Sequence, residues 1–153
     1  MMRNRGVSIS YHKAWRAKKK AASDVRGTPE HSFELLPSYL HMMKIVNPNT
    51  ITHLLVDNDQ RFKYFFIALG ACIEGFKAMR KVIVVDETFL KTKYKGTLII
   101  VTAQDRNYHQ YPLAFGVVDS ENDNSWKWFM HKLQELIPDD EDLVIISDRH
   151  QSI

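Results

Sequence analysis

Two short runs in this sequence, Val82-Ile83-Val84-Val85 and Leu143-Val144-Ile145-Ile146, consist of β-branched and aliphatic residues without a polar interruption. Runs of this length and composition, bounded by polar residues, predict strands buried on both faces. The first leads directly into Asp86, the second through Ser147 into Asp148. A carboxylate at the carboxyl end of a buried strand stands where open α/β sheets place their chemistry. If the strands are neighbours, the carboxylates converge, and converged carboxylates repel unless they share a proton or bind a cation. The pair is therefore a candidate metal site. It also constrains the fold, because the two strands must lie side by side and run the same way.

The residues between them show how that can happen. Residues 98–103 and 110–118 predict two more strands, joined by a turn at Asp105-Arg106-Asn107. Residues 121–125 form a capping cluster for a helix over 126–137, with Trp126, Phe129, Met130, Leu133 and Leu136 on its inner face. Three strands in hairpin succession, followed by a helical crossover, set the fourth strand parallel to the first. The predicted fold class is α/β, with a mixed sheet and helices on its faces. The order strand–strand–strand–helix–strand resembles the N-terminal half of a ribonuclease-H-like fold.

Upstream the pattern is mainly helical. Ser10 is the expected N-cap of a helix that presents Tyr11, Ala14, Trp15, Ala17, Ala21 and Ala22 on one face and stops at Arg26-Gly27-Thr28-Pro29. A second helix is expected over 30–43, broken or restarted by Pro37. Asn47-Pro48-Asn49-Thr50 and Asp57-Asn58-Asp59-Gln60 read as turns around a strand at 50–56. Residues 62–79 read as helix, because Phe62, Phe65, Phe66, Leu69, Ile73 and Phe76 fall at helical spacing. The expected organisation is thus a basic arm and helical linker over 1–80, then a partial catalytic domain over 81–153.

Charge is unevenly distributed. Residues 1–26 hold eight basic side chains, among them Arg16, Lys18, Lys19 and Lys20, against Asp24 alone. That local +7 leaves −4 for the remainder of a chain whose net charge is +3. A basic arm ahead of a mildly acidic body fits contact with phosphates. The single cysteine, Cys72, excludes a disulfide framework and any multi-cysteine zinc site within these residues. The seven histidines are scattered without metal-ligand spacing. Asp105 and Asp119 are explained by a hairpin turn and a helix approach. Trp126 and Trp128 are expected in the core, and Glu87 is expected to face solvent.

Several stretches together resemble the Mutator-like element (MULE) transposase family, particularly its plant members. Val84-Val85-Asp86-Glu87-Thr88-Phe89-Leu90-Lys91, followed by Tyr94-Lys95-Gly96, is similar to the family's first catalytic motif. Tyr111 to Val118, then Glu121-Asn122, Ser125-Trp126 and Trp128-Phe129, follow the family's order, and Ile146-Ser147-Asp148-Arg149 resembles the second catalytic motif. Ser10-Tyr11, Lys13 to Lys18, Leu36 to Leu40 and Asn47 to Thr50 resemble the linker that precedes the catalytic domain.

The resemblance implies DNA cleavage and transfer by a DDE-type site with two aspartates and a glutamate. It implies Asp86 and Asp148 as catalytic metal ligands, Mg²⁺ or Mn²⁺ as cofactor, DNA as partner and the nucleus as compartment. Arg16, Lys18, Lys19, Lys20 and Arg149 become candidate DNA contacts, and a homo-oligomer is expected of the full-length parent. The sequence departs from the family where Glu87 stands in place of the usual glycine. It also ends at Ile153, ahead of the family's third acidic residue. The expectation is therefore a transposase fragment, inactive alone. The alternative is a domesticated or degenerate transposon-derived protein that binds DNA or protein without catalysis.

Overall fold

In the computed structural model the described residues are 9–91, 93–137 and 140–147. They fall into two compact units that divide between Leu36 and Pro37.

The first unit holds α1 (Tyr11–Arg26) and α2 (Pro29–Glu34). The Ser10 hydroxyl accepts the Lys13 N–H at 3.4 Å, and Gly27 ends α1 with φ of 76°, a left-handed conformation that glycine adopts without strain. Thr28 caps α2 in the same way through the His31 N–H at 3.3 Å, with Pro29 in the first turn where its missing N–H costs nothing. The described side chains of α1 are all exposed.

The second unit holds all of α3 (Leu36–Val46) except its first residue, and Pro37 lies in the first turn of that helix. The expected break in the helical segment lies at Leu35, just before it. β1 (Ile51–Val56) and β2 (Phe62–Ala68) form an antiparallel hairpin, turned by Asp57, whose carboxylate accepts the N–H groups of Asp59 and Arg61, each at 2.9 Å. α4 (Gly70–Phe76) follows. Then come β3 (Val82–Phe89), β4 (Thr97–Gln104) and β5 (Gln110–Val118), the helix α5 (Asp123–Leu136) and β6 (Val144–Ser147). Among the described residues six strands make one sheet in the order β1-β2-β5-β4-β3-β6. All pairings are antiparallel except β3 with β6, which is parallel as the crossover argument required.

One expectation is corrected. Residues 62–79 are not a helix but β2 followed by the short α4. The run Phe62-Lys63-Tyr64-Phe65-Phe66-Ile67-Ala68 satisfies both periodicities, and aromatic residues favour the pleated surface. Pairing decides: β2 lies between β1 and β5 and buries Tyr64, Phe66, Ile67 and Ala68. β1 and β2 thereby extend the sheet that contains β3–β6. Gly70 begins α4 because any side chain there would collide with the Pro48 carbonyl oxygen, 1.8 Å from an added Cβ.

The core lies between one face of the sheet and α5. Ile83 and Val85 of β3, Ile99 and Val101 of β4, Leu113 and Val118 of β5 and Tyr64 and Phe66 of β2 meet Trp126, Phe129 and Leu133. Trp126 and Phe129 are fully buried, as the sequence predicts, and Trp128 packs on Tyr64 with ring centroids 5.2 Å apart. Gly116 is required where Phe129 crosses β5, since a Cβ there would lie 2.5 Å from the ring. α5 is held by a reciprocal capping box: Asn122 Oδ1 accepts the Ser125 N–H at 3.1 Å, and Ser125 Oγ accepts the Asn122 N–H at 3.0 Å. In β5 the register slips at Leu113, between the pairs Val101–Ala114 and Thr102–Pro112, and Leu113 and Ala114 are both buried in succession.

Candidate functional site

The parallel ladder starts firmly. The Val144 N–H donates to the Lys81 carbonyl at 2.8 Å, and Lys81 Nζ reaches Asp140 Oδ2 at 2.9 Å, a hydrogen bond that holds the Asp140 carboxyl below its ordinary pKa. From there β3 and β6 pair residue by residue, Val82 with Val144 through Val85 with Ser147. Asp86 is the next residue of β3. Asp148 and Arg149 lie outside the described residues.

Asp86 does not end its strand, which corrects the reading of the sequence. β3 continues to Phe89 because β4 keeps pairing with it, Asp86 opposite Ile100 and Phe89 opposite Thr97. The described ladder with β6, however, stops one residue short of Asp86. Asp86 is consequently an exposed carboxylate within a hydrogen-bonded strand, a more rigid position than a strand terminus. Its Oδ1 accepts the Glu87 N–H at 3.0 Å, which engages one of the two carboxylate oxygens.

Strand alternation separates Asp86 from its neighbour. Ile83 and Val85 face the α5 core, so Glu87 shares their face while Asp86 projects to the other. Glu87 is half-buried, with Oε2 shielded from water, rather than solvent-facing as expected from the sequence. Neighbouring carboxylates on opposite faces do not converge on one cation. Carboxylate oxygens suit Mg²⁺ or Mn²⁺. Among the described residues no three or more His, Cys, Asp or Glu side chains gather as a metal site.

Arg16, Lys18, Lys19 and Lys20 lie exposed on α1, with Lys19 Nζ 5.2 Å from the Trp15 ring centroid. Lys13, Arg16 and Lys20 recur at helical spacing on one side, while Lys18 points away from them. Asp105 and Asp119 have the local explanations expected of them. Asp105 Oδ1 accepts the Asn107 N–H at 2.7 Å, its partnership with His109 lowers its pKa, and Asp119 Oδ1 accepts the Ser120 hydroxyl at 3.2 Å ahead of α5.

One cluster was not legible in the sequence. His53 Nε2 of β1 lies 3.1 Å from Glu135 Oε2 of α5, and His131 Nε2 lies 3.7 Å from Glu135 Oε1, which Lys132 also holds. Burial lowers the His53 pKa, Lys132 and Lys44 act in the same direction, and Glu135 opposes them. The Lys132 hydrogen bond draws the Glu135 pKa down. These groups tie the outermost strand to the helix. Only their pairing in space reveals them, since no motif links residues so distant in sequence.

A family model described as MULE transposase domain matches residues 82–153, the span that begins at β3. No curated protein and no solved structure matches the chain.

Proposed function

We propose, from the match of residues 82–153 to the MULE transposase domain, that this chain carries the first part of a ribonuclease-H-like core for metal-dependent cleavage and transfer of DNA strands. One observation carries the reading: β3 and β6 pair in parallel up to Val85 opposite Ser147, Asp86 follows directly in β3, and Asp148 follows Ser147 in the sequence. In this reading Asp86 and Asp148 hold Mg²⁺ or Mn²⁺, and the Glu87 N–H orients the Asp86 carboxylate. Bound metal supplies activation of an attacking oxygen and neutralisation of charge on the leaving one. DNA is the proposed partner and the nucleus the proposed compartment. Among the described residues no helix is long and apolar enough to cross a membrane.

A DDE-type set takes three carboxylates, and this reading names two of them, Asp86 and Asp148. The reading is tested by Mn²⁺ titration calorimetry on the chain, with Asp86→Asn and Asp148→Asn compared. Each substitution should weaken binding by at least tenfold. If neither changes the titration, the carboxylates do not form a metal site. A strand-nicking assay runs in parallel, and robust cutting abolished by Asp86→Ala would show the site to be complete.

A second reading has its own support. α1 exposes Lys13, Arg16, Lys18, Lys19 and Lys20 on a capped helix, which fits a domesticated protein that binds DNA through this arm without catalysis.

A further inference from the structure

Serine hydroxyls differ in how far the fold has already used them. Ser125 is fully buried in the cap of α5. Ser120 donates to Asp119 Oδ1 at 3.2 Å and accepts the Asn122 side-chain N–H at 2.8 Å, in a stretch that also holds Glu121 and Asp123. Ser32 donates to the Thr28 carbonyl at 3.2 Å. Ser23 has a different setting. It is exposed in the last turn of α1, and the run Lys18-Lys19-Lys20-Ala21-Ala22 leads directly into it.

The helix gives that serine a defined side. At about 3.6 residues per turn, Lys13, Arg16, Lys20 and Ser23 share an arc of roughly 80°. Tyr11, Trp15, Ala22 and Val25 occupy the opposite side. Ser23 follows Lys20 by three residues and Lys19 by four, spacings that set Cβ atoms roughly 5–6 Å apart on a helix surface. α1 carries six basic residues against Asp24, a net +5. A phosphoserine brings about −2 and would leave about +3.

We propose that Ser23 is a phosphorylation site for a protein kinase that selects basic residues ahead of its target, and that the phosphate switches off DNA contact by α1. In the transfer the Ser23 hydroxyl attacks the γ-phosphorus of ATP. The new Oγ–P bond replaces the bond to ADP, and the hydroxyl proton passes to a base of the kinase. Lysines three, four and five residues ahead of the serine complement the acidic substrate groove of such an enzyme. A kinase cleft takes extended chain, and helix ends are where chain frays. The described side chains of α1 are all exposed, so packing does not hold that last turn. Once formed, the phosphate pairs with Lys19 and Lys20 and repels DNA phosphates from the side that Lys13, Arg16 and Lys20 present. It also stands at the negative end of the helix dipole, which loosens the turn further. The inference rests on the reading that α1 binds DNA, but not on metal binding or cutting.

The test treats the full chain with ATP and the purified catalytic subunit of a basophilic kinase. Peptide mass spectrometry locates the phosphate, and fluorescence anisotropy over a salt series measures binding to duplex DNA. Ser23 should carry the phosphate, after which affinity should fall about tenfold and the slope of log affinity against log salt should shrink by about 2. Ser23→Ala, carried through the same treatment, should keep the affinity and slope of the untreated chain. An equal fall in Ser23→Ala would assign the effect to another position and overturn the inference. So would a chain without phosphate on Ser23, or unchanged affinity and slope after complete modification. These results leave DNA binding by α1 standing. That reading falls, and the switch with it, if the untreated chain binds duplex no better than one with Arg16, Lys18, Lys19 and Lys20 changed to alanine.

Discussion

Gly116 gives the sharpest test of how the core supports the site. A methyl group there lands 2.5 Å from Phe129 Cε2, 2.7 Å from Cδ2 and 3.1 Å from the Phe65 carbonyl oxygen. Phe129 cannot retreat, because it is fully buried and packed on Phe66 with centroids 5.4 Å apart. Overfilling a tight core costs about 1–3 kcal/mol, and two ring atoms inside contact distance place Gly116→Ala near 3 kcal/mol. For a domain of this size that corresponds to a fall in melting temperature of about 6–12 °C. Phe129→Leu alone, which leaves a small void, should cost about 1–2 kcal/mol. The double variant should then be destabilised by little more than Phe129→Leu, a coupling of about 2 kcal/mol between residues in contact. Urea unfolding followed by circular dichroism measures all four forms. Strictly additive costs, or a neutral Gly116→Ala, would show that α5 does not seat on β5 as described. The outcome bears on function because α5 returns the chain to β6 beside Asp86.

Two further expectations concern charge. Burial keeps His53 below its ordinary 6.5, so the unfolded chain takes up a proton more readily than the folded one. Stability contributed here is present above that pH and declines as the pH falls through it; His53→Gln should flatten the acid side of a urea-midpoint profile, and an unchanged slope would remove His53 from the explanation. For the basic arm, replacing Arg16, Lys18, Lys19 and Lys20 by alanine should reduce the slope of log affinity against log salt on duplex DNA by about 3–4 if all four contact phosphates. An identical slope would leave α1 without a role in binding.

The strands that the sequence disclosed were those whose boundaries are chemical. β3, β4, β5 and β6 are apolar runs ended by polar residues, and α5 announces itself through Asn122 and Ser125. β2 was misread because residues 62–68 are apolar at nearly every position, and such a run fits a helix as well as a strand until its neighbours are known. The true end of β3 was hidden for a related reason, since Thr88 and Phe89 stay in the strand only because β4 is there to pair with them. Glu87 was assigned to solvent from its charge, whereas the alternation set by Ile83 and Val85 carries it to the α5 side. The position of Asp86 directly after the apolar run of β3 was legible, because it follows from the strand alone. The His53–Glu135 contact was not, because it requires the fold.

The parallel pairing of β3 with β6 also fixes a sequence of events during folding. The β3–β4–β5 meander can form from contacts between neighbours along the chain, but β6 cannot join until the meander and α5 are in place. A chain emerging from the ribosome thus forms the meander while β3 still lacks β6 along its far edge. The Asp86–Asp148 pair proposed above is withheld from the nascent polypeptide until β6 docks.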